Sequence, residues 1–196
     1  VRDSIAAVKP LRLEGDGALK LLVLGGSLGA LALNQLLPQA LAQLPKEFCP
    51  QVKHQTGKRH LAVTKAGYEK QSIDAEVVEF IDDMAAAYLW ADVVICRAGA
   101  LTVSELAMAA TPAVFVPLPH AVDDHQTKNA LYLVSRGAAK LLKQNEFNGT
   151  TLAQMLNSLF ISDSVIQKMS RAAHDAAHAD ATSKVAQICA AAAAGK

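Results

Sequence analysis

A glycine-rich segment near the start of the chain has the residue types that a phosphate-binding turn requires. It follows the apolar run Leu19–Leu24 and contains Gly25, Gly26, Ser27 and Gly29. Glycines permit a tight turn and a close approach of backbone N–H groups to an anion, while a helix N-terminus and the Ser27 hydroxyl add favourable interactions. The segment is not a strict GxGxxG, and no acidic residue follows the second strand to hold an adenine ribose. A phosphate loop and a plain strand-to-helix turn therefore remain alternatives.

A second strand, turn and helix start lies at residues 96–106, CRAGALTVSEL. The backbone N–H groups of Ala100, Leu101 and Thr102 would point toward the carboxyl edge of a sheet, where they can meet an anionic or polar group. Glu105 has two interpretations. Its carboxylate can accept two hydrogen bonds from a ribose diol, or it can close the helix N-terminus with Thr102, since the two residues have capping-box spacing. On spacing alone, the cap is the simpler interpretation.

A third polar segment, residues 117–129, follows the fifth apolar run and leads into a helix. Gln126 and Asn129 share a face of that helix, and their amides, which both donate and accept, suit the recognition of sugar hydroxyls. The acidic and histidine side chains of the loop have no spacing specific for a metal, so we expect no metal site here. Asp123 or Asp124 is instead expected to cap the helix.

Histidines elsewhere give weaker signals. His174 and His178 are four residues apart, but Asp175 stands where the zinc motif HExxH has Glu, so a solvated helix face is the simpler interpretation. His54 and His60 have no partner that the sequence identifies. No Ser-His-Asp or Cys-His order is recognisable, and the sequence therefore identifies no catalytic residue.

The composition excludes several classes of protein. Of 196 residues, 52% are hydrophobic and 19% charged, which excludes a disordered chain, and a net charge of +1 creates no field that attracts nucleic acid or an anionic membrane. Three widely spaced cysteines indicate neither a disulfide framework nor a zinc cluster, and Cys96 is expected in the core. No apolar run is long enough to span a membrane. Because the chain starts at Val1 without Met or a signal peptide, we expect it to be part of a longer protein.

Apolar periodicity places these segments on alternating strands and helices. The expected strands are Leu19–Leu24, Gln51–Thr56, Ala75–Phe80, Asp92–Cys96, Ala113–Val116 and Ala138–Lys143. The expected helices are Ala30–Leu44, kinked or started late by Pro38, then Lys58–Lys70, Asp82–Trp90, Leu101–Ala110 and His125–Arg136, with caps at Asp82-Asp83 and Gly137 and a helical tail after Thr150. This alternation predicts an α/β fold with a doubly wound, mostly parallel six-stranded sheet that binds ligands at the carboxyl ends of its strands. Residues 1–19 are expected to form a lead-in segment and residues 20–196 one domain.

In order and spacing, these segments resemble the carboxyl-terminal half of the MurG family of peptidoglycan N-acetylglucosaminyltransferases. The matching pieces are Val1-Arg2, GGSLGA at 25–30, HQTGK at 54–58, EFIDDMAAAY at 79–88, ADVVICRAGALTVSELA at 91–107 and HAVDDHQTKNA at 120–130. The resemblance implies the donor-binding, Rossmann-like half of a GT-B glycosyltransferase, without the amino-terminal acceptor domain. The helical tail matches only in character.

The resemblance also implies roles for the matching residues. Arg2 and Ser27 would lie near the donor diphosphate, and the backbone of Ile81 would read the uracil edge. The phosphate loop would consist of Gly25, Gly26 and Gly29.

Toward the ribose and the sugar, the implied contacts come from the second and third polar segments. The nucleotide would be wrapped by Ala100, Leu101, Thr102, Val103, Ser104 and Glu105. Glu105 would accept hydrogen bonds from the ribose hydroxyls, which favours the ligand interpretation over the cap. Gln126, together with Asn129, would hold the N-acetylglucosamine.

The implied reaction transfers N-acetylglucosamine from UDP to the 4-hydroxyl of the muramoyl sugar of a lipid-linked acceptor, with inversion and without a metal or other cofactor. The enzyme would bind peripherally at the cytoplasmic face of the bacterial inner membrane and have no nucleic-acid partner, while the isolated domain would be soluble. This chain alone is expected to be inactive, since the acceptor site would lie in the missing half. The alternatives are a UDP-N-acetylglucosamine 2-epimerase-like or other GT-B enzyme domain, and a non-catalytic nucleotide-binding module.

Overall fold

The computed structural model describes residues 1–6, 18–26, 30–119, 124–178 and 180–194. Six strands form one sheet in the order β3-β2-β1-β4-β5-β6, and every neighbouring pair is parallel. The strands are β1 Lys20–Leu24, β2 Gln51–Gln55, β3 Ala75–Val78, β4 Val93–Cys96, β5 Ala113–Phe115 and β6 Ala139–Leu141. The predicted six-stranded α/β sheet is confirmed, and each strand lies within its expected range.

Helices connect the strands and form the last part of the chain. They are α1 Asp3–Ala6, α2 Leu31–Leu41, α3 Leu61–Lys70, α4 Met84–Trp90, α5 Ala100–Met108, α6 His125–Val134, α7 Gly149–Phe160, α8 Asp163–Asp175 and α9 Ala181–Ala194, with short 3-10 helices at Lys46–Phe48 and Lys58–His60. The expected helical tail is therefore confirmed. Within the described ranges, no helix combines the length and the apolar character needed to cross a membrane.

Side-chain alternation along the central strands divides the core into two layers. Leu21 and Val23 of β1 pack on one face of the sheet with α2, α3 and α7, whereas Leu22 and Leu24 pack on the other face with α4, α5 and α6. Both faces of the central strands are thus buried, as their uninterrupted apolar sequences predict. Cys96 belongs to the second layer, where burial raises the pKa of its thiol, and its expected place in the core is confirmed.

Local interactions set several helix ends. Asp83 Oδ1 accepts a hydrogen bond from the Ala86 N–H at 2.9 Å, which confirms the expected N-cap of α4. The N–H of Gly137 donates to the carbonyl of Val134 just beyond α6, as expected for a glycine C-cap. Helix α2 runs from Leu31 to Leu41 with Pro38 inside it, so the late start, one of the two expected effects of Pro38, is wrong. Packing of the buried face of α2 outweighs the single hydrogen bond that the proline removes.

Candidate functional site

The described parts of the three polar segments lie at the carboxyl edge of the sheet, around β1 and β4. These two central strands pair with each other, and the sheet continues from β1 to β2 on one side and from β4 to β5 on the other. The turns that leave β1 and β4 therefore lie side by side, and each leads into a helix. Doubly wound sheets bind their ligands where the strand order reverses in this way.

The turn after β1 requires glycine at two positions, for different reasons. The Gly25 N–H donates to the carbonyl of Gln55, and a Cβ at Gly25 would lie 2.9 Å from that oxygen and 3.1 Å from a second backbone atom. Gly26 has open space around it but a φ of +75°, which residues with a Cβ disfavour. A side chain would therefore be disfavoured at both of these positions after β1, at Gly25 by space and at Gly26 by backbone conformation. Two further members of the predicted loop, Ser27 and Gly29, lie outside the described residues.

A buried chain of hydrogen bonds lies next to this turn. His54 of β2 is placed between α2 and α3, with its Nε2 3.0 Å from Asn34 Oδ1 and its Nδ1 3.0 Å from the Tyr68 hydroxyl. Asn34 Nδ2 donates to the carbonyl of Thr56 at 3.1 Å, which makes Oδ1 of the same amide an acceptor. His54 must then donate from Nε2 and accept at Nδ1 from the Tyr68 hydroxyl.

The hydrogen-bonded chain therefore runs in one direction, from Tyr68 through His54 and Asn34 to the backbone. Burial lowers the pKa of His54 to about 3, so the ring is neutral. The sequence does not identify these partners of His54, because they come from two helices at a distance in sequence. Strand alternation provides one usable signal, since His54 lies two residues after Val52, which packs in the same core layer as α2.

Helix α5 begins about one turn earlier than a capping box at Thr102 requires. Gly99 is the N-cap residue, in an extended conformation, so Thr102 and Glu105 are already the third and sixth residues of the helix. The capping-box interpretation of Glu105 is therefore wrong.

Glu105 is buried in the second turn of α5, with both carboxylate oxygens paired. Oε1 accepts a hydrogen bond from Nε of Arg2 and forms an ion pair with its Nη2, both at 3.0 Å, and Oε2 accepts from the Tyr88 hydroxyl at 3.1 Å. Burial, aided by the nearby carboxylate, raises the pKa of Tyr88, so this hydroxyl stays protonated. The structure thus brings together Arg2 and Glu105, which are 103 positions apart in the chain.

The remaining residues predicted to contact a nucleotide lie at the same edge of the sheet. Ile81 follows β3 and is half-buried against the layer that contains α4 and α5. In α5, the exposed side chains are those of Ala100, Leu101 and Ser104, and that of Thr102 is half-buried. Val103 packs in the core, so only its backbone could take part in a site.

Gln126 and Asn129 both reach from α6 to loops that leave neighbouring strands. Gln126 Oε1 accepts from the N–H of Leu118, in the loop after β5, at 2.9 Å. Asn129 Nδ2 donates to the carbonyl of Ala98, in the turn after β4, at 3.1 Å. Part of each amide is therefore used to hold the protein's own backbone.

Arg97 is a residue of this edge that sequence reasoning missed. Its Nη1 donates to the carbonyls of Val116 and Pro117, both at 2.9 Å, and so ties the turn after β4 to the end of β5. The available signal was a charged residue placed directly after four buried residues of a central strand. A cation there must find acceptors at the strand ends.

The structure corrects one alternative of the capping prediction, Asp124, and the expected helix face shared by two histidines. Asp124 precedes α6, but its Oδ1 accepts from the Thr127 hydroxyl at 2.6 Å and makes no capping bond to the helix, while Asp123 lies outside the described residues. Helix α8 ends before His178, so His174 and His178 are both exposed but do not share a helix face. In the part of the chain that the structure describes, no three His, Cys, Asp or Glu side chains are grouped to hold a metal ion.

Comparison with known proteins identifies close relatives. A protein of Colwellia psychrerythraea is named UDP-N-acetylglucosamine--N-acetylmuramyl-(pentapeptide) pyrophosphoryl-undecaprenol N-acetylglucosamine transferase. It is 53% identical in an alignment 180 residues long, and the match covers 89% of this chain and 46% of the relative. A protein of the same name from Stutzerimonas stutzeri is 51% identical over 188 residues, 96% of this chain and 50% of the relative. The chain thus spans about half the length of the curated relatives it matches.

Solved structures agree with the sequence relatives. The crystal structure of MurG from Acinetobacter baumannii matches with a TM-score of 0.82 and 44% identity, covering 89% of this chain and 50% of that one. A UDP-GlcNAc 2-epimerase from Neisseria meningitidis matches with a TM-score of 0.60 but only 10% identity over 88% of this chain and 44% of that one, which shows a shared fold alone. The sequence profile of the glycosyltransferase family 28 C-terminal domain matches residues 20–185, and the chain therefore belongs to that family.

Proposed function

We propose that this chain binds UDP-N-acetylglucosamine as the donor of an enzyme that glycosylates a lipid-linked muramoyl acceptor in peptidoglycan synthesis. The observation that carries the proposal is the placement of two strand-to-helix turns side by side, one after β1 and one after β4. The helix after β4, α5, carries the buried carboxylate of Glu105. Relatives with about half of their aligned residues identical to this chain have that activity in their names, which supports the same conclusion.

In this proposal the nucleotide lies across the two turns. The diphosphate meets the turn at Gly25 and Gly26, the N-terminal end of α2 and the guanidinium of Arg2. Glu105 accepts hydrogen bonds from the ribose hydroxyls, and the backbone of Ile81 contacts the uracil. Backbone N–H groups and a guanidinium are suited to a diphosphate, because both supply positive charge and hydrogen-bond donors to its oxygens.

The sugar lies beyond the diphosphate, next to the first turns of α6. Gln126 and Asn129 are the proposed partners of the N-acetylglucosamine hydroxyls. Each amide has both donors and acceptors, and only one atom of each is used in the contacts to Leu118 and Ala98 described above. Neutral amides discriminate between hydroxyl patterns without adding charge beside the diphosphate.

The proposed chemistry is one displacement with inversion. The 4-hydroxyl of the acceptor attacks the anomeric carbon, its proton passes to a base, and UDP leaves from the opposite face. This chain holds the sugar in one orientation and stabilises the negative charge that grows on the departing diphosphate. We place the acceptor site and the base in the part of the protein outside this chain, and the whole protein at the cytoplasmic face of the membrane as a peripheral enzyme.

Calorimetric titration of the chain with UDP, UDP-N-acetylglucosamine and NAD tests the binding. We expect UDP and UDP-N-acetylglucosamine to bind and NAD not to bind, because no acidic side chain follows β2 to hold an adenine ribose. Binding of NAD in preference to both uridine nucleotides would contradict the proposal.

A transfer assay tests the division of labour between this chain and the rest of the protein. We expect the chain alone to bind donor without measurable transfer to a lipid-linked acceptor, because a second domain must close over the site and exclude water. Efficient transfer by this chain alone would show that the acceptor site and base lie within it.

A further inference from the structure

The two partners of the Glu105 carboxylate differ in how firmly they are held. The side chain of Arg2 is 51% exposed, whereas that of Glu105 is only 4% exposed. Arg2 also lies beside the four-residue helix α1 at the start of the chain. Tyr88 is 2% exposed and packs in the core layer with α4 and α5, so its hydroxyl has a fixed position.

The carboxylate has too few free acceptor positions for a diol while Arg2 is bound. Each carboxylate oxygen can accept about two hydrogen bonds. Oε1 faces both Nε and Nη2 of Arg2, and Oε2 faces the Tyr88 hydroxyl. A ribose diol that donates two hydrogen bonds must therefore displace Arg2 from Oε1, and the exposed arginine is the partner that can move.

Tyr88 has no comparable freedom to leave. Its ring is enclosed by the core, and burial keeps its hydroxyl in the protonated, donating form. If Tyr88 stays on Oε2, the carboxylate cannot rotate about its last bond, and its remaining acceptor positions keep one direction. A carboxylate with a fixed direction binds a diol with less loss of conformational freedom than one that rotates.

We infer that Tyr88 is a positioning residue for the nucleotide ribose, whose hydroxyl holds Oε2 of Glu105 so that the carboxylate presents its other acceptor positions to the 2′- and 3′-hydroxyls. This inference rests on the proposed function and adds to it a specificity residue that does not touch the ligand. It requires no movement of α4 or α5, only the release of Arg2.

The test compares UDP with 2′,3′-dideoxy-UDP on the wild-type chain and on Tyr88→Phe. We expect the wild type to bind UDP more tightly than the dideoxy ligand. In Tyr88→Phe, this preference should fall about three- to tenfold, because one hydrogen bond that orients the carboxylate is lost. Affinity for dideoxy-UDP should stay unchanged, since that ligand has no hydroxyl for Glu105.

Tyr68→Phe is the matched control, because it removes an equally buried hydroxyl that contacts His54 and not Glu105. Its preference for UDP should equal that of the wild type. An unchanged preference in Tyr88→Phe, or equal falls in both variants, would overturn the inference and leave the proposed donor site intact. A wild type that binds UDP but does not distinguish the two ligands would overturn the ribose role of Glu105 and this inference together, whereas failure to bind either would overturn the proposed function itself.

Discussion

Oε1 of Gln126 accepts a hydrogen bond from the backbone N–H of Leu118, across the base of the loop between β5 and α6. The side chain thus fixes the start of α6 relative to the end of β5. Its two Nε2 donors are not needed for that bond, so the same amide can hold the loop and contact a sugar. The two roles predict different results on substitution.

We expect Gln126→Ala to weaken binding of UDP-N-acetylglucosamine by roughly 1 kcal/mol or more, the scale of one or two neutral hydrogen bonds. Affinity for UDP should scarcely change, because the amide lies beyond the diphosphate. Titration of UDP and of UDP-N-acetylglucosamine into the wild type and into Gln126→Ala measures the two affinity losses. Equal losses for the two ligands would place Gln126 at the nucleotide. Leu118→Pro is the control, since it removes the N–H donor and keeps Gln126; the same loss in that variant would mean that Gln126 only holds the loop.

Glu105→Ala and Arg2→Ala should separate the ribose from the diphosphate. We expect Glu105→Ala to weaken UDP and uridine alike, by roughly 1–3 kcal/mol. Arg2→Ala should weaken binding of UDP, whose diphosphate loses a cation. It should not weaken binding of uridine, whose ribose no longer has to displace Arg2 from Glu105. Titration with both ligands decides this, and a loss of uridine binding in Arg2→Ala would contradict the assignment.

The same two variants should also differ in stability. Glu105→Ala leaves the buried Tyr88 hydroxyl without an acceptor, which costs about 1–3 kcal/mol of unfolding free energy. Arg2→Ala keeps the Tyr88 hydrogen bond but removes the cation beside the buried carboxylate. Because the Arg2 side chain is 51% exposed, its truncation lets water reach Oε1, and the cost should be smaller, about 1 kcal/mol. Urea unfolding of both variants measures the difference, and a larger loss in Arg2→Ala would be contrary to expectation.

Gly25 and Gly26 should respond in opposite ways to alanine and asparagine. At Gly26 the difficulty is a positive φ, which asparagine adopts more readily than alanine, so Gly26→Asn should be the more stable variant. At Gly25 the difficulty is the lack of space beside backbone atoms, so the larger Asn side chain should be worse than Ala. We expect Gly25→Ala to lower the free energy of unfolding by about 1–3 kcal/mol, and Gly25→Asn to lower it further. Melting temperatures of the four variants give the order, and the same order at both positions would contradict this account.

The low pKa of His54 predicts that the fold is sensitive to acid. The folded ring has a pKa of about 3, against 6.5 for the free side chain, so between these values the unfolded chain binds a proton that the folded protein does not. Stability is therefore full above about pH 6.5 and falls as the pH drops toward 3. From pH 7 to pH 5 this group should cost about 2 kcal/mol of unfolding free energy.

His54→Gln is the control for this pH dependence, since it removes the titrating group and retains donor and acceptor atoms. The difference in unfolding free energy between wild type and variant should shrink steadily from pH 7 to pH 5. Parallel curves for the two proteins would mean that His54 does not cause the acid sensitivity.

The sheet could be predicted because its signals are local. Val93–Cys96 is an uninterrupted run of apolar residues, typical of a strand buried on both faces, and Gly25 and Gly26 mark the turn after β1 without reference to other parts of the chain. The ends of the strands therefore agree with the structure to within two residues. The late start of α2 was wrong because tertiary packing outweighs the local effect of Pro38.

The side-chain contacts of the site could not be predicted, because they join distant parts of the chain. Arg2 and Glu105 are 103 positions apart, and Asn34 and His54 come from a helix and a strand that are 20 positions apart. The capping-box spacing of Thr102 and Glu105 was misleading for a physical reason. The spacing alone does not show where the helix begins, because Gly99, three residues before Thr102, can also serve as the N-cap, and in the structure it does.

The central position of β1 and β4 has a consequence for the order in which the protein folds. Lys20 pairs with Gln51 about 30 positions away, whereas Leu21 pairs with Val93 about 70 positions away, and closing the longer loop costs about 0.7 kcal/mol more chain entropy. We therefore expect the sheet to form from two halves, one containing strands β1, β2 and β3 and the other strands β4, β5 and β6. The halves should join last, along β1 and β4. The two turns proposed to hold the nucleotide belong to different halves, so they become neighbours only in that final step.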